Sequence, residues 1–190
     1  MPTPLHTLSQ LAEIRSGHTF RGALEHDSEG DVRVLQIKDV RQQSVIDPQT
    51  LTAIRWTART SPTWLKDGDI AVIARGDINS AALYKGGLPV VATSQLFIVS
   101  CKRPDVLPEY LCWMINLAQS QRSLERSGSS IQAITKAGLG AMTIPLPLPA
   151  TQQKLIELQD LWNEEDRLIA QLQANRTHML QGIYQHLIKD

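Results

Sequence analysis

Five short stretches of the chain gather arginine, lysine, amide and hydroxyl side chains, three of them beside backbone-bending glycines. The first runs Arg15-Ser16-Gly17-His18-Thr19-Phe20-Arg21-Gly22, where Arg15, Ser16, His18, Thr19 and Arg21 offer donors and acceptors. The second is Lys38 with Arg41, Gln42 and Gln43. The third is Arg75 with Gly76 and Asn79, the fourth Thr93-Ser94-Gln95. The fifth runs from Arg126 through Gly128, Ser129 and Ser130 to Gln132, with Lys136 just beyond. Groups of this kind bind phosphate through guanidinium, ammonium and backbone N–H, and read base edges through hydroxyls and amides. Each stretch also has a plainer use. An arginine in a loop is often only solvated, Asn79 and Gly76 suit a turn, and Ser129-Ser130 suits a helix cap.

Sets that make or break covalent bonds are missing. The chain has no Gly-rich phosphate loop followed by Lys-Ser/Thr and no Gly-x-Ser-x-Gly elbow. His178 and His186 stand two helical turns apart, too far to share a metal as an i, i+4 pair does. His6, His18 and His26 lack a carboxylate or cysteine cluster at ligand spacing, and Asp67 with Asp69 reads as a turn. Asp77 has no Glu-x-Lys companion of the nuclease kind, and no Asn-Pro-Pro-Phe/Tyr string marks base methylation. No catalytic residue and no metal site is expected.

The elements that must hold these loops follow from hydrophobic pattern. Leu5 to Ile14 reads as a short strand or helical turn. Val32 to Ile37 alternates as a half-buried strand, which Lys38-Asp39-Val40-Arg41 ends. Ile70 to Ala74 is a continuous apolar run of strand length, as in a central strand. Pro89–Ala92 and Gln95–Ser100 predict two more strands. Pro108 opens a helix whose apolar face, Tyr110 to Leu124, fades at Arg126-Ser127-Gly128. Thr135 is a candidate cap, and Ala141 to Leu148 returns as a strand. Trp56, Trp64 and Trp113 are expected in the core. The fold class is α/β: a mixed-sheet domain followed by one long C-terminal helix that pairs as a coiled coil.

That helix is the strongest pattern in the chain. After the proline string ending at Pro149 there is no further Pro and only one Gly. Leu155, Leu158, Trp162, Ile169, Leu172, Met179 and Ile183 recur at heptad-like spacing. From Thr151 to Leu187 such a helix reaches roughly 55 Å, and its apolar seam calls for a partner helix. The boundary is expected near Ala150, giving a domain of residues 1–149 and an arm of residues 150–190.

Composition sets bounds on partners. The chain has 190 residues, 42% of them hydrophobic, and a formal net charge of zero. Before Thr151 there are 15 basic and 13 acidic side chains; from Thr151 on there are 4 and 6. The domain is mildly basic and the arm mildly acidic, which permits a local basic face without establishing one. Cys101 and Cys112 are the only cysteines and read as reduced packing residues. No apolar run spans a bilayer, and Met1 to Gln10 lacks the pattern of a signal peptide, so a cytoplasmic protein is expected.

The order of several strings resembles the specificity (S) subunit of type I restriction-modification systems. They are Leu11-Ala12-Glu13-Ile14-Arg15-Ser16-Gly17-His18-Thr19-Phe20, Ile37-Lys38-Asp39-Val40, and Leu65-Lys66-Asp67-Gly68-Asp69-Ile70 with Arg75-Gly76. Gln95-Leu96-Phe97-Ile98 and Pro108-Glu109-Tyr110-Leu111 follow. Gly128-Ser129-Ser130-Ile131-Gln132-Ala133-Ile134, Ile144-Pro145-Leu146-Pro147 and Gln152-Gln153 complete the series across nearly the whole chain. The resemblance implies a target recognition domain followed by a helical spacer. It implies double-stranded DNA as ligand, and modification subunits, with or without a restriction subunit, as partners. S-adenosylmethionine and ATP with Mg²⁺ then belong to those subunits, and this chain needs no cofactor.

One recognition domain and one spacer are present where the family pattern has two of each, so the chain looks like a half-length form. Two copies pairing their arms antiparallel would present one half-site reader twice, in opposite orientations. A homodimer on a bipartite target is therefore expected, against an arm that folds back or packs in another bundle. The rival readings are a stand-alone nuclease or methyltransferase fragment, an assembly adaptor whose domain binds protein, and a repressor-like DNA binder.

Overall fold

The structure, a computed structural model, describes residues 3–41, 44–57, 62–76, 78–124, 126–127 and 132–188. It divides into two compact units, Met1–Gln152 and Gln153–Asp190.

The first unit is built on a five-stranded mixed sheet. Its strands are β2 (Ala12–Ser16), β4 (Val45–Ile46), β6 (Ile70–Ile73), β7 (Ala81–Tyr84) and β9 (Leu96–Cys101), in the order β2-β9-β6-β7-β4. The apolar run at Ile70 does form the middle strand: all four residues of β6 are buried. Only β4 runs parallel to its neighbour. A second sheet has the order β5-β3-β8, from β3 (Val32–Leu35), β5 (Thr52–Ile54) and β8 (Val90–Ala92). β3 is antiparallel to β5 and parallel to β8. Side chains from both sheets, among them Leu35, Ile73, Tyr84, Val90, Leu96 and Ile98, meet in one core. Burying each of these stabilises the unit by about 1.5–3 kcal/mol.

Short elements close the unit. β1 (Leu5–Thr7) pairs antiparallel with β12 (Thr143–Pro145), bringing the two ends of the domain together. Between β1 and β2 lies one helical turn, α1 (Leu8–Leu11), so the stretch expected to be strand or turn is both. The strand expected over Val32–Ile37 stops at Leu35, and α2 (Ile37–Arg41) follows. Asp39 explains the switch. At the third helical position it accepts from Gln36 N–H at 2.8 Å, half of a capping box.

The helix expected from Pro108 to Leu124 is two pieces, α3 (Pro108–Asn116) and α4 (Ala118–Arg122), broken at Leu117. Tertiary bonds override the pattern. The Asn116 side chain accepts from Ala81 N–H at 2.8 Å and donates to Ala81 C=O at 2.8 Å, locking the end of α3 onto β7. Gln121 reaches back to Ile115 C=O at 2.8 Å. The short pair β10 (Arg126–Ser127) and β11 (Ala133–Ile134) precedes α5 (Lys136–Ala141), which Thr135 caps by accepting from Gly138 N–H at 2.9 Å.

α6 (Pro149–Leu187) is one helix of 39 residues, about 58 Å long. Its first turn, through Gln152, belongs to the first unit. Gln152 is fully buried: it accepts from Leu107 N–H at 3.0 Å and donates to Asp105 and Pro147 carbonyls, each at 2.8 Å. In the second unit the seam residues Leu158, Trp162, Ile169, Leu172, Met179 and Ile183 are exposed, Leu172 to 66% and Met179 to 67%. Among the described residues no helix is long and apolar enough to cross a membrane.

Candidate nucleic-acid interface

The five polar stretches span more than half the domain's sequence, and the fold brings parts of all five to one end of the two sheets. The first and fourth stretches touch directly. His18 forms an isolated parallel bridge with Thr93. Its N–H donates to Ala92 C=O at 2.7 Å, its C=O accepts from Ser94 N–H at 2.7 Å, and Gly17 N–H donates to Leu96 C=O at 3.0 Å. Gly17 is required by this approach: a Cβ there would lie 2.1 Å from Thr93 O.

The fourth stretch joins the third through Ala74 N–H donating to Gln95 C=O at 2.9 Å. The third joins the fifth, since Arg75 bridges Ala133 and Gly76 N–H donates to Gln132 C=O at 2.8 Å. The second reaches the third through a side chain. Gly76 holds φ +118°, a conformation favouring glycine, and a Cβ there would sit 3.1 Å from Arg41 Nη2. Leu35, just before α2, ties in by accepting from Thr93 N–H at 3.0 Å. Ser16, Thr19, Arg21, Lys38, Arg41, Arg75, Ser94, Gln95 and Gln132 are exposed. Among the described residues, Arg21, Arg41 and Arg75 make no salt bridge. The Thr93 hydroxyl is buried with no partner among them.

Three expected readers are placed differently. Arg15 is held inside the sheet: its guanidinium bonds Asp69, 3% exposed, and Ser100, each at 2.9 Å. The strand β2 extends through Ser16, so Arg15 crosses β9 rather than entering a loop. Asn79 is fully buried and donates to Ile73 C=O at 2.9 Å, the turn use of that residue. Lys136, at the start of α5, lines a separate groove with Thr7, Ser9, Glu13 and Lys102. Gln42, Gln43, Asp77, Ser129 and Ser130 lie outside the described residues, and of Arg126 only the backbone, paired with Ile134, is described.

An aromatic cluster at this end was not expected. His18 stacks edge-on against Phe20 with ring centres 4.9 Å apart and tilts against Trp56 at 5.1 Å. Trp56 in turn meets Trp64 at 6.2 Å. Trp64 is 37% exposed and Trp56 half-buried, so neither is the core residue its type suggests. A cleft of about 460 Å³ opens beside them, walled by His18, Thr19, Phe20, Arg21, Arg55 and Trp56. Arg55 faces Asp27 at 3.6 Å and Glu29 at 3.2 Å. The signal available in the sequence was the pair Trp56 and Trp64 bracketing a polar segment, Thr57 to Thr63.

The surface thus joins guanidiniums that make no salt bridge among the described residues, exposed amides and hydroxyls, close-approach glycines and aromatic faces. Such a set grips phosphate and contacts bases. Nucleophilic chemistry gains no support from the cysteines: burial pushes Cys101 up to about 11 and Cys112 to about 12, keeping both protonated. Among the described residues no group of three His, Cys, Asp or Glu side chains could hold a metal ion.

Comparison with known proteins agrees with this architecture. No curated protein matches the chain. Among solved structures, the HsdS subunit from Thermoanaerobacter tengcongensis matches at 17% identity and a TM-score of 0.65, over 85% of this chain and 37% of that one. A chain from a structure described as "complex assembly and conformational transition of the type I R-M system" matches at 16% identity and a TM-score of 0.75, over 95% and 43%. The type I restriction-modification S subunit from M. genitalium matches at 14% identity and a TM-score of 0.58, over 92% and 42%. The chain therefore spans less than half the length of these proteins, and at such identities the likeness is one of fold. The family model for the type I restriction modification DNA specificity domain matches residues 5–175, and the chain belongs to that family.

Proposed function

We propose that the chain is the DNA-reading specificity component of a type I restriction-modification system. The observation that carries this reading is the convergence of the five polar stretches on one end of the two sheets, with Arg21, Arg41 and Arg75 making no salt bridge among the described residues. The guanidiniums hold phosphates, and Gly17 and Gly76 let backbone approach backbone closely. Thr19, Ser94, Gln95 and Gln132 offer hydrogen bonds to base edges, and the ring faces beside His18 offer stacking. Residues 1–149 serve as the recognition domain and residues 150–190 as the spacer arm. The arm docks modification subunits, which bind S-adenosylmethionine and transfer its methyl to adenine; a restriction subunit, where the system has one, uses ATP and Mg²⁺.

The exposed seam of α6 supports pairing of two copies into a homodimer on a bipartite target in the cytoplasm. Fluorescence anisotropy of the purified chain, with and without modification subunits, tests DNA recognition across a salt series. Contacts with several phosphates predict affinity falling steeply and linearly in log–log form between 50 and 200 mM salt. A flat salt response, or equal affinity for all sequences in the assembled complex, refutes the reading.

A further inference from the structure

The seam of α6 carries a symmetry of its own. Trp162, Ile169, Arg176 and Ile183 share one core position of the heptad, and Leu158, Glu165, Leu172 and Met179 share the other. Between Leu155, which continues the first position, and Ile183, two charges of opposite sign, Glu165 and Arg176, therefore interrupt an otherwise apolar strip; His186 continues the second position beyond it. Both are exposed, and neither has an ion-pair partner within the described residues. The opposite face of the helix is polar, and its own ion pair, Glu164 with Arg167, lies there.

In an antiparallel helix pair, each residue of one core position faces a residue of the other. Let the two-fold axis cross between Ala170 and Gln171. Ile169 then faces Leu172 of the second copy, Trp162 faces Met179, and Leu158 faces Ile183. In the same register Glu165 faces Arg176, twice by symmetry. The remaining levels add no like-charge contact: Leu168 is level with Gln173 of the second copy, Asp166 with Asn175, and Leu155 with His186. A slip of one heptad in either direction sets Glu165 against Ile169 or Ile183, and Arg176 against Leu158 or Leu172. A parallel pair in register sets Glu165 against Glu165 and Arg176 against Arg176.

We propose that α6 binds a second copy of itself in this one antiparallel register, selected by reciprocal Glu165–Arg176 pairs. The proposal rests on the homodimer reading above and adds its geometry. A buried ion pair adds little net stability over an apolar pair. Leaving either charge unpaired in the core is costly, so the two pairs act mainly against wrong registers.

Sedimentation equilibrium on the full chain tests it. The parent is a dimer. E165R places arginine against arginine twice, R176E glutamate against glutamate, and each variant dimerises at least about 100-fold more weakly. Mixing the two variants restores opposite charges at both pairs and gives a heterodimer, and the double variant E165R/R176E dimerises like the parent. Circular dichroism checks that each variant keeps its helix. A dimeric parent whose single variants dimerise equally well, or whose mixture fails to associate, overturns the register alone. A parent that stays monomeric at every concentration overturns the homodimer reading with it.

Discussion

Gly17→Ala is the sharpest local test of how the site is assembled. The added Cβ would stand 2.1 Å from Thr93 O, 2.6 Å from Thr93 C and 2.7 Å from Ala92 O, all backbone atoms. Ordinary contact between such atoms is about 3.3 Å or more, so the two segments must separate by roughly 1 Å. Three backbone bonds cross this junction: Gly17 to Leu96, His18 to Ala92 and Ser94 to His18, at 3.0, 2.7 and 2.7 Å. At about 1 kcal/mol net each, their loss costs about 3 kcal/mol. For a unit of this size that lowers the melting temperature by about 6–12 °C. Thermal unfolding followed by circular dichroism measures the loss. Anisotropy at a temperature where the variant remains folded reports whether splitting the first and fourth stretches weakens DNA binding. A variant within about 0.5 kcal/mol of the parent would refute the close approach.

Other substitutions separate structural from recognition roles. Arg15→Ala should destabilise the domain by about 2–3 kcal/mol, below the full cost of breaking a buried pair because Asp69 keeps its bond from Lys66 N–H at 2.9 Å; urea denaturation reads it. Arg75→Ala should leave stability within about 0.5 kcal/mol, since its backbone bridge survives, yet weaken specific DNA affinity about tenfold, and unchanged affinity removes Arg75 from the interface. Gln152→Leu strands a buried N–H and two carbonyls at the root of α6, costing about 3 kcal/mol in the same denaturation assay. Cys101 and Cys112, with thiols at about 11 and about 12, should resist iodoacetamide at pH 8 in the folded chain and react promptly in urea.

What could be read from sequence was whatever repeats along the chain. The central strand at Ile70 announced itself as an unbroken apolar run, and α6 as a long heptad without proline. The five polar stretches were visible as residue types, and their meeting at one end depends on strand order, which no local pattern encodes. Arg15 misled because an arginine beside glycine and serine looks like a loop, while its partner Asp69 lies 54 residues away. Asn79 misled for a similar reason: its type fits either a turn or a base, and only burial decides. Trp56 and Trp64 look like core by size, yet Trp56 packs on His18 and Trp64 on Trp56, both partly exposed. The break at Leu117 was hidden because Asn116 bonds to Ala81, a contact the helix's own periodicity does not contain.

Whether this domain chooses DNA targets for adenine methylation is tested most directly in the cell. Methylome sequencing with the gene present and deleted should show one bipartite adenine motif methylated in the first case and bare in the second. Identical methylation in both would contradict the account.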